Sequence, residues 1–294
     1  MRIILLSLCI AAIALNSTAQ SSVQRPKLVV GIVVDQMRWD YLYRFYDRYD
    51  NNGGFKRMLN QGFTCENTFI PYAPTVTACG HSSIYTGSVP AINGITGNAW
   101  WDRTHMRTVY CTEDQTVNPV GSTSSNGKQS PRNLLTTTIC DELRIATNYK
   151  SKVIGIALKD RGGILPAGHS ANAAYWYDNT TGKWITSTYY TNELPQWVSS
   201  FNELKLVDEY YKKGWSLLYP ANTYSQSTAD EKKYEARPFG TSFPYNLSGF
   251  AGKDYGKITT TPWGNTLTTE FAKKAVINEG LGADNITDFL AISY

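Results

Sequence analysis

Three apolar runs, Leu28–Val34, Ser151–Leu158 and Thr287–Tyr294, limit what this chain can fold into. Each is a near-continuous stretch of aliphatic residues, the pattern of a strand buried on both faces of a parallel sheet. Between them lie segments that read as helices: Trp39 to Arg48, Phe55 to Asn60 closed by Gly62, Ser130-Pro131 through about Thr147, and Leu267 to Glu279 closed by Gly280. A strand is also expected over Phe63 to Ile70. Strands alternating with helices predict an α/β layer fold.

The length of 294 residues allows one large domain or two small ones, and the 42% hydrophobic and 18% charged composition is that of a globular protein. A net charge of +4 without any basic run gives no footprint for nucleic acid. Residues 1–19 read as a secretory signal: Arg2, a short apolar core to Leu15, then Ser17-Thr18-Ala19 before Gln20. The core falls short of the roughly 20 residues of a membrane span, so no span is expected once the signal is removed. A periplasmic or secreted location is expected, with 20–27 as a polar linker. In an oxidising compartment Cys65, Cys79, Cys111 and Cys140 could form two bridges, and Cys65–Cys111, both beside loops, is the expected pair.

Polar residues cluster where these elements end. Asp35 follows the first apolar run, either capping the next helix or standing as a functional carboxylate at the C-terminal end of a central strand. In Pro74-Thr75-Val76-Thr77-Ala78-Cys79-Gly80-His81, Pro74 sets a turn, and Thr77 falls where a short helix ending at Gly87 begins. Thr77 is thus either an ordinary N-cap or a nucleophile at the positive end of the helix dipole. Asn98, in the glycine-punctuated segment Val89–Asn98, is a turn residue or an amide donor to a ligand oxygen. Lys159-Asp160-Arg161 follows the second apolar run. If extended, it presents both cations to one place and turns Asp160 away; otherwise it is a solvated charge cluster. From about 173 to 243 Tyr and Trp dominate. This stretch reads as an inserted cap, with a carbohydrate-binding surface as the other reading.

Taken together, Val33-Val34-Asp35, Pro74 to His81, Gly97-Asn98 and Lys159-Asp160-Arg161 resemble the phosphate-insensitive bacterial alkaline phosphatases. Those belong to the type I phosphodiesterase/nucleotide pyrophosphatase branch of the alkaline phosphatase superfamily. The resemblance implies an alkaline phosphatase-like α/β sandwich with a mostly parallel central sheet flanked by helices. It makes residues 28–294 the N-terminal part of the catalytic domain. The implied activity is hydrolysis of phosphate monoesters with two zinc ions through a phospho-threonine. Asp35 would be a zinc ligand, Thr77 the nucleophile touching the same metal, and Asn98, Lys159 and Arg161 the contacts to the phosphoryl group. His81 is not implied as a ligand. The remaining zinc ligands are expected beyond Tyr294, so the fragment alone is expected to be inactive. The alternatives are a phosphodiesterase or nucleotide pyrophosphatase of the same superfamily, and a non-catalytic exported binding protein.

Overall fold

The computed structural model describes residues 25–235 and 238–294; the expected signal over 1–19 lies outside them. Six strands form the central sheet: β1 (Leu28–Val33), β4 (Pro119–Val120), β5 (Val153–Ala157), β6 (Ala173–Asp178), β7 (Lys183–Ser187) and β8 (Asp288–Ser293). A separate hairpin is made by β2 (Ala99–Asp102) and β3 (Arg107–Tyr110). The sheet order is β1-β8-β5-β6-β7-β4. Pairings β1–β8, β8–β5 and β5–β6 are parallel, whereas β6–β7 and β7–β4 are antiparallel. The three apolar runs are therefore adjacent: β8 lies between β1 and β5.

Strand alternation divides the sheet into two faces. On one, Ile154, Ile156, Tyr175, Tyr177, Leu290 and Ile292 pack against Phe271 and Ala275 of a long helix. On the other, Val153, Ala174, Trp176, Phe289 and Ala291 pack against Tyr85, Cys140, Ile164 and Ala167. The helices in chain order are α1 (Tyr41–Arg44), α2 (Gly54–Gln61), α3 (Thr77–Thr86), α4 (Pro90–Asn93), α5 (Ile139–Ala146), α6 (Asp160–Ala167), α7 (Gln196–Glu203), α8 (Leu206–Lys213) and α9 (Pro262–Asn278). The first face takes α7, α8 and α9; the second takes α3, α5 and α6. Helices on both faces of a mostly parallel sheet are the layered α/β arrangement expected from the sequence.

The glycines of β5 and α6 set the spacing on the second face. A Cβ on Gly155 would collide with the Gly163 carbonyl, and one on Gly162 would press on Ala157 and Ser293. The backbone of α6 thus lies directly on the sheet, and no loop intervenes between β5 and α6 beyond Leu158 and Lys159.

Several expectations are corrected. Phe63–Ile70 is not a strand: it pairs with no described strand, and Phe63 and Phe69 are 92% and 83% exposed. The helix expected from Ser130 begins only at Ile139. There Thr138 and Asp141 form a reciprocal capping box that fixes the start. Trp39–Arg48 divides into α1 and a 3-10 turn, Tyr46–Arg48. The aromatic stretch from 173 does not begin as a cap, because Ala173–Asp178 and Lys183–Ser187 are the central strands β6 and β7. Its aromatics are largely core: Trp184 stacks on Phe271 at 4.2 Å between ring centres, with Tyr175 edge-on to the same ring. The Cys65–Cys111 bridge is not formed: Cys65 is exposed, Cys111 is buried in a core with Ala78, Ile95 and Leu165, and both are free thiols. Among the described residues no helix is long and apolar enough to cross a membrane.

Candidate active site

The site lies at the C-terminal ends of the parallel strands, where open α/β sheets gather functional groups. Asp35 follows β1 and is tied down by its N–H donating to the Tyr294 carbonyl at 2.9 Å. Thr77 is the first residue of α3, and Val76, extended and without a capping side chain, precedes it. The hydroxyl of Thr77 does not cap the helix. It donates to Asp35 Oδ2 at 2.8 Å, so the capping alternative is ruled out. The helix ends at Gly87, whose φ of 64° is a left-handed conformation that glycine adopts without strain.

Lys159 Nζ donates to the same Asp35 oxygen at 2.9 Å. Burial pushes the Asp35 carboxyl up, but the Lys159 ammonium and the Thr77 hydroxyl outweigh it and hold the acid below its ordinary value. An ionised acceptor therefore faces the Thr77 hydroxyl. Asn98 Oδ1 accepts the N–H of Ala78 at 3.0 Å, which leaves the Asn98 amide N–H groups available to a ligand beside the first turn of α3.

Arg161 is placed differently from the extended reading. Lys159 is extended, but Asp160 and Arg161 already belong to the first turn of α6, and Asp160 is not turned out to solvent. Arg161 Nη1 donates to the Tyr110 hydroxyl at 2.7 Å, and that hydroxyl donates to Asp160 Oδ1 at 2.6 Å. Lys159, Asp160 and Arg161 share the wall of a cleft of about 440 Å³ with Tyr110, Asn126 and Trp176. The structure thus joins Asp35, Thr77 and Lys159 directly, sets Asn98 against α3, and holds Arg161 through Tyr110.

His81 is buried one turn after Thr77. Its Nδ1 lies 2.8 Å from the Thr77 carbonyl, so Nδ1 carries the proton; neutral Nε2 then accepts from Ser293 Oγ at 2.7 Å. Burial lowers its pKa, and that neutral form suits a brace better than a cation would. Neither Ser293 nor Tyr110 was marked by the sequence. Ser293 ends an apolar strand and Tyr110 ends a short hairpin strand, positions that only tertiary packing brings to the site.

Asp35 and Thr77 offer two oxygen donors to a metal. Among the described residues no group of three His, Cys, Asp or Glu side chains is close enough to hold one. The donors present do not fit two zinc ions by themselves.

The family model for type I phosphodiesterase / nucleotide pyrophosphatase matches residues 29–293. The chain is 58% identical to "Alkaline phosphatase PhoV" of Synechococcus elongatus over 94% of this chain and 51% of that protein. It is 59% identical to "Calcium-transporting ATPase" of Myroides odoratus over 94% of this chain and 51% of that protein. The crystal structure of the alkaline phosphatase PafA superimposes with a TM-score of 0.90 at 53% identity, over 92% of this chain and 53% of that one. A crystallised PafA variant has, in chain order, a threonine changed to serine and an asparagine, a lysine and an arginine changed to alanine. The chain spans about half the length of the relatives it matches. It belongs to the type I phosphodiesterase/nucleotide pyrophosphatase family of the alkaline phosphatase superfamily.

Proposed function

We propose that this chain is the nucleophile-bearing part of an exported alkaline phosphatase that hydrolyses phosphate monoesters through a phospho-threonine on Thr77. The observation that carries the reading is the Thr77 hydroxyl donating to Asp35 Oδ2, on which Lys159 also converges. A helix cap would have turned that hydroxyl to its own backbone. Asn98, held by Ala78, offers amide donors to a phosphoryl oxygen at the positive end of α3. Lys159 and Arg161 add positive charge where a dianionic monoester carries its extra negative charge, space that a diester would fill with its second substituent. The threonine, asparagine, lysine and arginine changed in the PafA variant match Thr77, Asn98, Lys159 and Arg161 in type and order. Matched relatives named as alkaline phosphatases support the same activity.

Two zinc ions remain part of the reading, with Asp35 and Thr77 as one corner of their site and the other ligands outside the described residues. The charged start and apolar core at residues 1–19 support export to the periplasm or medium. The competing activity, a phosphodiesterase or nucleotide pyrophosphatase, is favoured by the family description. Turnover of a nitrophenyl monoester against the matching diester by the parent protein separates the two. Monoester preference together with a Thr77 phosphopeptide from a quenched reaction is the expected result. Diester preference, or no label on Thr77, overturns it.

A further inference from the structure

The guanidinium of Arg161 is largely buried, yet among the described residues its side chain makes one hydrogen bond, Nη1 to the Tyr110 hydroxyl at 2.7 Å. Its Nε is buried without a partner. The nearest carboxylate, Asp160, is 3.9 Å from Nη1, too far to bond it directly. Asp160 reaches Arg161 in two other ways. It accepts the Arg161 backbone N–H at 2.6 Å, and it accepts the Tyr110 hydroxyl proton at 2.6 Å. The tyrosine therefore stands between the carboxylate and the guanidinium, donating to one and accepting from the other, with the cation 5.9 Å from its ring centre.

We infer that Tyr110, oriented by Asp160, is a positioning residue that aims Arg161 at the phosphoryl group and so sets the preference for monoesters. This rests on the function proposed above. Tyr110 ends β3, and the next residue, Cys111, donates its N–H to the Asn98 carbonyl at 3.0 Å. One hairpin end thus fixes two of the phosphoryl contacts relative to each other, Asn98 through backbone and Arg161 through a phenol. Burial and the neighbouring Asp160 push the Tyr110 hydroxyl far above its ordinary pKa, so it stays protonated and serves as a fixed relay with no acid–base part in turnover. Losing a charge-assisted hydrogen bond to a group that acts only by its placement predicts a loss of roughly tenfold.

The test combines kinetics with crystallography on the parent protein. Tyr110→Phe should lower kcat/KM for a nitrophenyl monoester about tenfold and leave the diester within about twofold. Added to Arg161→Ala it should cause no further loss, because the only route from Tyr110 to substrate has gone. Asp160→Asn keeps an acceptor for the phenol but removes its charge, and should give the same monoester-selective loss at smaller size. Equal losses on both esters, or losses that multiply with Arg161→Ala, overturn the inference. If the parent shows no phosphatase activity, the proposed function fails. The crystal structure of Tyr110→Phe still decides this point: a displaced Arg161 guanidinium supports it and an unmoved one overturns it.

Discussion

Thr77 Oγ1 lies 2.8 Å from Asp35 Oδ2, and the two residues approach from different layers, one opening a helix and the other ending an edge strand. Lys159 occupies the same oxygen from β5. The hydroxyl is thus held with its proton committed to a carboxylate and its lone pairs free. Thr77→Ala in the parent protein should lower monoester kcat/KM by on the order of 10³-fold or more, and Thr77→Ser much less. A rate within about tenfold of wild type for the alanine variant would remove Thr77 from the chemistry.

A second prediction concerns pH. His169 has its pKa raised by its hydrogen bond to Asp141, against the opposing effect of burial. A group raised in the folded state contributes stability that is full below its unfolded value, about 6.5, and is lost as pH rises through the folded value. Asp141 is the reverse. Burial raises it, but His169, Thr138 and Ser170 more than offset that. Its contribution is present above about pH 3.9 and disappears only in strong acid. Calorimetric Tm should therefore fall as pH rises above about 6.5, and His169→Gln should flatten that slope. Parallel curves for the two proteins would refute the assignment.

The thiols give a direct check on the corrected cysteine assignment. Cys65 is exposed, whereas Cys79, Cys111 and Cys140 are buried, and burial pushes the last two up to about 12. Under native conditions a thiol reagent should label Cys65 quickly and the other three only after unfolding. Recovery of a Cys65–Cys111 disulfide peptide under non-reducing conditions would contradict the structure.

Gly155 is the tightest contact between sheet and helix. Gly155→Ala should destabilise the chain by about 3 kcal/mol, since strand and α6 backbone must separate to admit a methyl group. Urea unfolding of the chain measures it. A midpoint unchanged from wild type would show that α6 does not rest on β5 as described.

Much of this architecture was readable from the residues. The second and third apolar runs became the central strands β5 and β8, buried on both faces as their aliphatic side chains at every position imply. The first, β1, pairs beside them at the edge of the described sheet, with Val30 and Ile32 exposed. Asp35 and Lys159 were legible as candidates because each charge directly follows such a run, although a helix cap and a solvated charge cluster fitted the same residues. The sequence misled where one local pattern serves two structures. Lys159-Asp160-Arg161 reads as an extended continuation of the strand, and only the packing of the Gly163 backbone on Gly155 shows a helix that already begins at Asp160, which turned the expected geometry of Asp160 and Arg161. Phe63–Ile70 has strand composition, but no described neighbour pairs with it. Tyr110 and Ser293 have no local mark, because their roles depend on partners far away in sequence.

The place of β8 between β1 and β5 has a consequence for how the chain is made. Leu28 pairs with Asp288 across about 260 residues, and Asp35 is anchored by the carbonyl of Tyr294. On a ribosome, β1 has no described neighbour until residues 288–293 emerge, so a long nascent chain carries an unpaired apolar strand. Closing so large a loop late makes folding slow and dependent on protection of that strand during synthesis. The carboxylate that binds Thr77 would be fixed in place only after α3, β5 and Lys159 have been made.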